Sequence, residues 1–510
     1  MAGLDSVSDE VLLNISSHLS SIRDLAALSA QCRRLYNFID MPLRNRFHRI
    51  RLRNLKREQK GALVLKILEI LKMPKLAQLV HQLEIGLSST WTPIEMSKAM
   101  KDEDVELIKS AFRAAEFSNS QYLGALPSLL VLQGQQGDFE ELSVNGPTKI
   151  MSFEQAMGIL FIILCPNIQI LKVDEPRGPV ADLLRRVNSK DPTLIALQRL
   201  REVRLINQGY DEAIYNVCGF VECMRFFHRL PSIESISASF ICIGEGQFFR
   251  LASRVSKFSK IYIDHSSMST HKLRTIIEHP KTLKEFRYSI GGRTVLDERS
   301  SDCSIQPKIL GRALQLHKSS LQVLDLDADS ILSSNQGFSD ETGEVESESD
   351  DESDYSDYES DFSEYVDETE CSSHHFGTTI GSFHDFTALT HLSIGVKLLL
   401  GEDEAWYRRK LNEAPPTYCL ADRLPPNLEY LCIRGFTKDG DEHYTKAVFN
   451  MMETRAKHLP HLKEVLGVEE CIPNGESVSP EDSYGQKGLW LAGTDSWASS
   501  DDSSSSDDSA

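Results

Sequence analysis

Residues 321–326 read Leu321-Gln322-Val323-Leu324-Asp325-Leu326, and residues 389–394 read Leu389-Thr390-His391-Leu392-Ser393-Ile394. Apolar side chains stand at the first, fourth and sixth places of each unit, with mostly polar ones between. The closing alternation has the period of two of a β-strand that buries one side. The unit recurs upstream at Val80/Leu83/Ile85, Ile168/Leu171/Val173, Leu200/Val203/Leu205 and Ile233/Ile236/Ala238. It continues at Phe258/Ile261/Ile263, Leu283/Phe286/Tyr288 and Leu428/Leu431/Ile433, and Leu462/Val465 is a degraded last copy. Helical apolar patterns precede several copies, at 153–164, 212–230, 271–279, 309–317 and 444–458.

Helix, turn and short strand repeated along a chain resembles a leucine-rich-repeat solenoid. The spacings between first places from Ile168 to Leu321 are 32, 33, 25, 25 and 38 residues. Regular leucine-rich repeats run about 20–29 residues, so the array is irregular with long helices. An all-helical repeat is the competing reading, and the polar places between the apolar ones favour strands. The expected fold class is therefore α/β, mainly α at the N-terminus. The pattern assigns no structure to residues 88–150.

The chain has 510 residues and a formal charge of −20. No Lys or Arg occurs between Lys318 and Lys397, while Asp340–Glu370 carries 16 Asp and Glu and 495–510 adds five Asp. Without these two stretches the rest is close to neutral, so the acidity belongs to an insert and a tail. Like-charge repulsion and scarce apolar content predict disorder there, since ordering costs about 1–2 kcal/mol per residue. The expected organisation is a helical unit at 1–50, a basic helical linker at 51–75 and a solenoid at 76–330. A disordered acidic insert at 331–380, more solenoid at 381–470 and a Ser/Asp-rich tail at 471–510 complete it. Ten scattered cysteines without a C-x-x-C pair predict reduced thiols, hence cytosol or nucleus. The start MAGLDSVSDE lacks a signal-peptide pattern, and the longest apolar run, Ala156–Cys165, is about half of the ~20 residues that span a bilayer. No membrane association is expected.

At the N-terminus, Val11, Leu12, Ile15 and Leu19 fall at helical spacing behind Ser8, Asp9 and Glu10, which suit a helix start. A second helix is expected from about Arg23, carrying Leu25, Leu28, Cys32, Leu35 and Tyr36, with Pro42 ending or redirecting it. This unit resembles an F-box, whose pattern runs Leu-Pro-x-Glu-apolar-Leu, then a Leu, a short linker and an apolar–Cys–Arg segment. By position, Val7 and Ser8 occupy the Leu-Pro pair; Glu10, Val11, Leu12, Ile15 and Leu19 follow on the first helix. Leu25, Leu28, Cys32 and Leu35 fall on the second. The departure is Ser8, where the family has Pro. The resemblance implies that these eleven residues bind a Skp-type adaptor and, through it, a cullin–RING scaffold. It also implies that the chain is a substrate-recognition subunit of a ubiquitin ligase and not an enzyme.

The repeat region offers the substrate surface. The place between the last two apolar residues of each unit points to solvent in a solenoid, which selects Lys172, Arg204, Ser237, Tyr262, Arg287, Asp325, Ser393 and Cys432. Among these, Lys172, Arg204, Tyr262 and Arg287 form a candidate patch for an acidic or phosphorylated segment of an unknown protein. The basic run from Arg44 to Lys60 lacks an aromatic platform or a nucleic-acid module, so a solvated helix face or an acidic-segment dock is expected rather than nucleic acid. No nucleophile-elbow, phosphate-loop, dinucleotide or zincin motif occurs, and no cofactor, metal or catalytic residue is expected. The rival class is a non-ligase scaffold whose acidic segments bind basic proteins.

Overall fold

The computed structural model describes residues 7–19, 22–86, 101–114, 153–189, 194–206, 215–242, 251–291, 305–329, 332, 379–401 and 419–474. Most of the expected insert, 333–378, and tail, 475–510, lie outside the described residues. Two units are distinguished: Met1–Ser267 with Glu278–Arg287 and Arg293–Leu296, and Met268–Ile277 with Tyr288–Gly292 and Asp297–Ala510.

The first unit opens with four short helices, α1 (Asp9–His18), α2 (Ile22–Ser29), α3 (Arg33–Ile39) and α4 (Met41–His48). The chain then alternates strand and helix: β1 (Arg49–Leu52), α5 (Arg57–Lys72), β2 (Gln82–Ile85), α6 (Asp102–Ala114), α7 (Phe153–Leu164), β3 (Ile170–Val173), α8 (Gly178–Asn188) and β4 (Glu202–Leu205). It continues with β5 (Asn216–Val217), α9 (Phe220–Phe227), β6 (Ser235–Ser239), β7 (Ile241–Cys242) and β8 (Lys260–Asp264). Strands β1, β2, β3, β4, β6 and β8 pair in that order, all parallel. The register stacks the predicted apolar places, joined by Ile50 and Leu52 of β1, into columns: Ile50, Leu83, Leu171, Val203, Ile236 and Ile261, then Leu52, Ile85, Val173, Leu205, Ala238 and Ile263. All twelve are buried, each full aliphatic burial being worth about 1.5–3 kcal/mol. A parallel ladder needs a crossover between strands. Helix α7 supplies one and is buried from Phe153 to Ile162 apart from Gln155, apolar nearly all round as a core helix must be. A Cβ on its Gly158 would lie 2.8 Å from Ile85 Cδ1, so the glycine sets how closely α7 lies on the sheet.

The second unit contains α10 (Thr270–Glu278, counted with it through Ile277), α11 (Pro307–Gln315), β10 (Val323–Asp327), β11 (His391–Gly395), α12 (Val396–Leu400), β12 (Tyr430–Arg434), α13 (Glu442–His458) and β13 (Glu464–Leu466). Strand β9 (Glu285–Ser289) contributes its first three residues to the first unit and its last two to the second. Strands β10 to β13 are again parallel, with columns Leu324, Leu392, Leu431 and Val465, then Leu326, Ile394 and Ile433. The fold is thus a mixed α/β repeat with parallel strands.

Three expectations are corrected. The second N-terminal helix is broken: Cys32 is extended at φ −158°, ψ 161°, and starts α3 as its cap, its Sγ accepting from Leu35 N at 3.5 Å. Pro42 terminates nothing. It lies in the first turn of α4, and the chain turns at Asp40, whose φ is 48° and whose carboxylate accepts from Leu43 N at 3.4 Å. The stretch read as helical unit and basic linker contains β1, with Arg49 paired to Gln82 and Leu52 to Ile85, so the ladder begins before residue 51. In the stretch 88–150, which the pattern left unassigned, 102–114 is helix α6.

Candidate protein-interaction surfaces

The N-terminal helices divide the eleven adaptor candidates into two sets. Leu12, Leu25 and Leu35 are buried, and Leu19 and Leu28 pack half-buried against Leu25, Ile39 and Met41. Val7 is half-buried and its carbonyl accepts from Arg34 Nη2 at 2.8 Å, tying the approach to α1 onto α3. Cys32 is half-buried in its capping role. Ser8 and Glu10 are exposed, and Ser8 stands at the cap position without a side-chain capping bond. The outward apolar pair is Val11, 49% exposed, and Ile15, 36% exposed, one turn apart on α1. Tyr36 on α3 is 52% exposed. Helix α1 therefore has a buried and a partly exposed side. Leu12, with buried Ser16 one turn on, faces inward, while Val11 and Ile15 keep part of their apolar surface open to solvent.

The basic run is largely spent on structure. Arg49 and Arg51 reach Glu84 on β2 at 3.0 and 3.4 Å, Arg46 pairs with Glu69 at 2.6 Å, and Lys60 is buried against Glu154 at 3.2 Å.

In the first unit the fifth-place row, Arg51, Glu84, Lys172, Arg204, Ser237 and Tyr262, stands in register, but Glu84 and Tyr262 are buried, so the solvent-facing expectation fails at Tyr262. The four substrate candidates share this face, but carboxylates are interleaved with them. Arg204 pairs with Glu202 on its own strand. Arg287 is buried with its guanidinium 5.2 Å over the Tyr262 ring, and the Tyr262 hydroxyl donates to Glu285 at 2.5 Å. Burial first, and Glu285 second, hold the Tyr262 phenol well above its usual pKa. Rather than a bare cationic patch, this is a mixed surface of matched charges.

In the second unit the corresponding row, Asp325, Ser393, Cys432 and Leu466, departs from the solvent-facing expectation at two places. Ser393 and Cys432 are fully buried because Arg434 lies across them. Its Nε donates to Ser393 Oγ at 2.9 Å and its Nη2 to Asp325 Oδ1 and Oδ2 at 3.2 and 3.3 Å. Burial pulls the Arg434 pKa down, but Asp325 and Asp327 outweigh it and hold it above the ordinary arginine value. Burial pushes the Cys432 thiol up to about 11.

A second outward row was missed by motif reading. The third place of each unit aligns Val323, His391, Tyr430 and Glu464 across β10–β13. The His391 and Tyr430 rings stack with centroids 4.4 Å apart at 24°. Lys463 Nζ sits 5.8 Å from the Tyr430 centroid and 2.5 Å from Glu429 Oε2. The signal was present as His and Tyr at equivalent places of adjacent units.

The eight cysteines among the described residues are free thiols. Among those residues no cluster of His, Cys, Asp or Glu could hold a metal ion, and no helix is long and apolar enough to cross a membrane.

The family model described as a leucine-rich repeat domain matches residues 357–478, a stretch that includes β11, β12, α13 and β13. No curated protein matches the chain. A leucine-rich repeat region points to a role in protein interaction.

Proposed function

We propose that the chain is the substrate-recognition subunit of a Skp–cullin–F-box ubiquitin ligase, acting in the cytoplasm or nucleus. Its N-terminal helices would bind the Skp-type adaptor and its repeat region the protein to be ubiquitylated. The observation that carries this reading is the outward Val11–Ile15 stripe, on a helix whose inward stripe is already satisfied. Covering such a stripe is favourable by about 25 cal/mol per Å² of apolar surface removed from water, which gives a short helical unit a reason to take a partner. The F-box resemblance of residues 4–36 suggests the partner's identity. The chain would lower no chemical barrier itself; it would raise the effective concentration of a substrate lysine beside the conjugating enzyme.

Native purification of the full chain under proteasome inhibition tests this. Adaptor and cullin should co-purify with the intact chain and be lost from Val11→Asp/Ile15→Asp, while the helical circular dichroism is retained. Equal recovery by the double variant overturns the proposal. Leu12→Asp is a poor substitute, because Leu12 is buried and its loss would unfold the unit.

A further inference from the structure

We infer that the outward strand face of the second unit docks an arginine-rich basic segment of a partner protein. This names a chemical class for what the repeat region takes, and in that respect rests on the receptor reading.

The face is defined by the third-place row Val323, His391, Tyr430 and Glu464, flanked by Glu429 and by the Asp325–Arg434 pair. Its cations are already engaged. Arg434 is bound to Asp325 and Ser393, and Lys463 is bound to Glu429. Against these stand Asp325, Glu429 and Glu464, of which Glu464 is exposed and has no ion pair among the described residues. The face is net acidic, and its centre is a stacked imidazole and phenol.

The chain itself shows what such a surface accepts. The Lys463 ammonium occupies a seat made by the Tyr430 ring and the Glu429 carboxylate, while its side chain remains 60% exposed. A ring face with an adjacent carboxylate suits a guanidinium better than an ammonium, because the planar group stacks and donates in a fork at once. A partner arginine would displace Lys463 and take both contacts.

The sequence between β10 and β11, two neighbouring strands of this face, adds charge of the same sign. Asp340–Glu370 carries 16 acidic residues and no basic one. The flanks of that connection are fastened within the same unit: Leu332 bridges to Ile305, and Ile380 N donates to Leu398 O at 3.0 Å. A basic segment approaching the unit would meet a field that raises its encounter rate, while the ring and carboxylates fix its register.

Fluorescence anisotropy with the full chain tests this, using a labelled, end-capped arginine-rich peptide of about ten residues and a lysine peptide of equal charge. The arginine peptide should bind several-fold more tightly. Glu429→Lys/Glu464→Lys should weaken it at least tenfold, and Glu234→Lys in the first unit should leave it unchanged. Lys463→Ala should tighten binding several-fold, a gain that misfolding cannot produce. Binding that survives the double charge reversal, or a Lys463→Ala chain that binds no better than the parent, overturns the inference. So does a chain lacking 333–378 that loses all binding while the double reversal loses none, since the insert alone would then hold the peptide. Adaptor capture measured on the same variants should be unaffected, so failure here is distinguishable from failure of the receptor reading.

Discussion

Arg434 shows how one side chain can redraw a surface. Asp325 lies 109 positions before it, and only the parallel register of β10, β11 and β12 brings the two together across Ser393. No sequence spacing signals that contact, so the solvent-facing rule failed at Ser393 and Cys432, as it also did at the buried Tyr262 and Arg287. Removing one partner of a buried ion pair costs about 3–5 kcal/mol, because the other charge remains buried. Arg434→Ala should therefore lower unfolding free energy by about 3 kcal/mol in denaturant titrations. It should also uncover Cys432, whose thiol, pushed up to about 11 by burial, should resist alkylation at neutral pH in the parent chain.

His279 carries a second residue-scale prediction. Burial holds its pKa down at about 4, with Nδ1 against Ala252 O at 2.9 Å, and burial followed by the neighbouring His48 holds His81 at about 4. Both rings are neutral in the folded chain, whereas the unfolded chain takes up a proton below about 6.5. The unfolded state then binds more protons between these values, so stability is fully present above about 6.5 and falls as pH drops toward 4. Thermal melts should show this decline, and His279→Gln should flatten it by about 2 kcal/mol or less.

At the scale of elements, most strands were legible because every copy of the six-residue unit but the degraded last one keeps its apolar places. The first copy is also present, as Phe47, Ile50 and Leu52, all buried, but arginines at the intervening places made it read as a basic linker. Those arginines are held by Glu84, a carboxylate 33 residues or more away in sequence, so local charge gave the wrong impression. A chain beginning at residue 53 should expose the edge of β2 and aggregate or melt at lower temperature than one beginning at residue 41. Gly467 follows β13 at φ +81°, and a Cβ there would lie 1.9 Å from Ile433 O. Gly467→Ala should detach the last strand at a cost of about 1–3 kcal/mol, read as faster amide exchange in 464–466.

For the whole molecule, composition separated a near-neutral repeat region from its acidic connections, and the family match to 357–478 bears on the former's protein-binding role. The candidate surfaces were only half legible. Val11, Leu12 and Ile15 are equally apolar in sequence, and only packing shows that Leu12 is core while Val11 and Ile15 face outward. Assignment of the ligase role depends on those two side chains meeting an adaptor. Titration calorimetry of purified Skp-type adaptor into the full chain measures this directly. Saturable binding with a negative heat-capacity change and little salt dependence, abolished by Val11→Asp, is expected. An intact, monomeric chain that gives no binding heat at several temperatures and does not co-elute with the adaptor would contradict it.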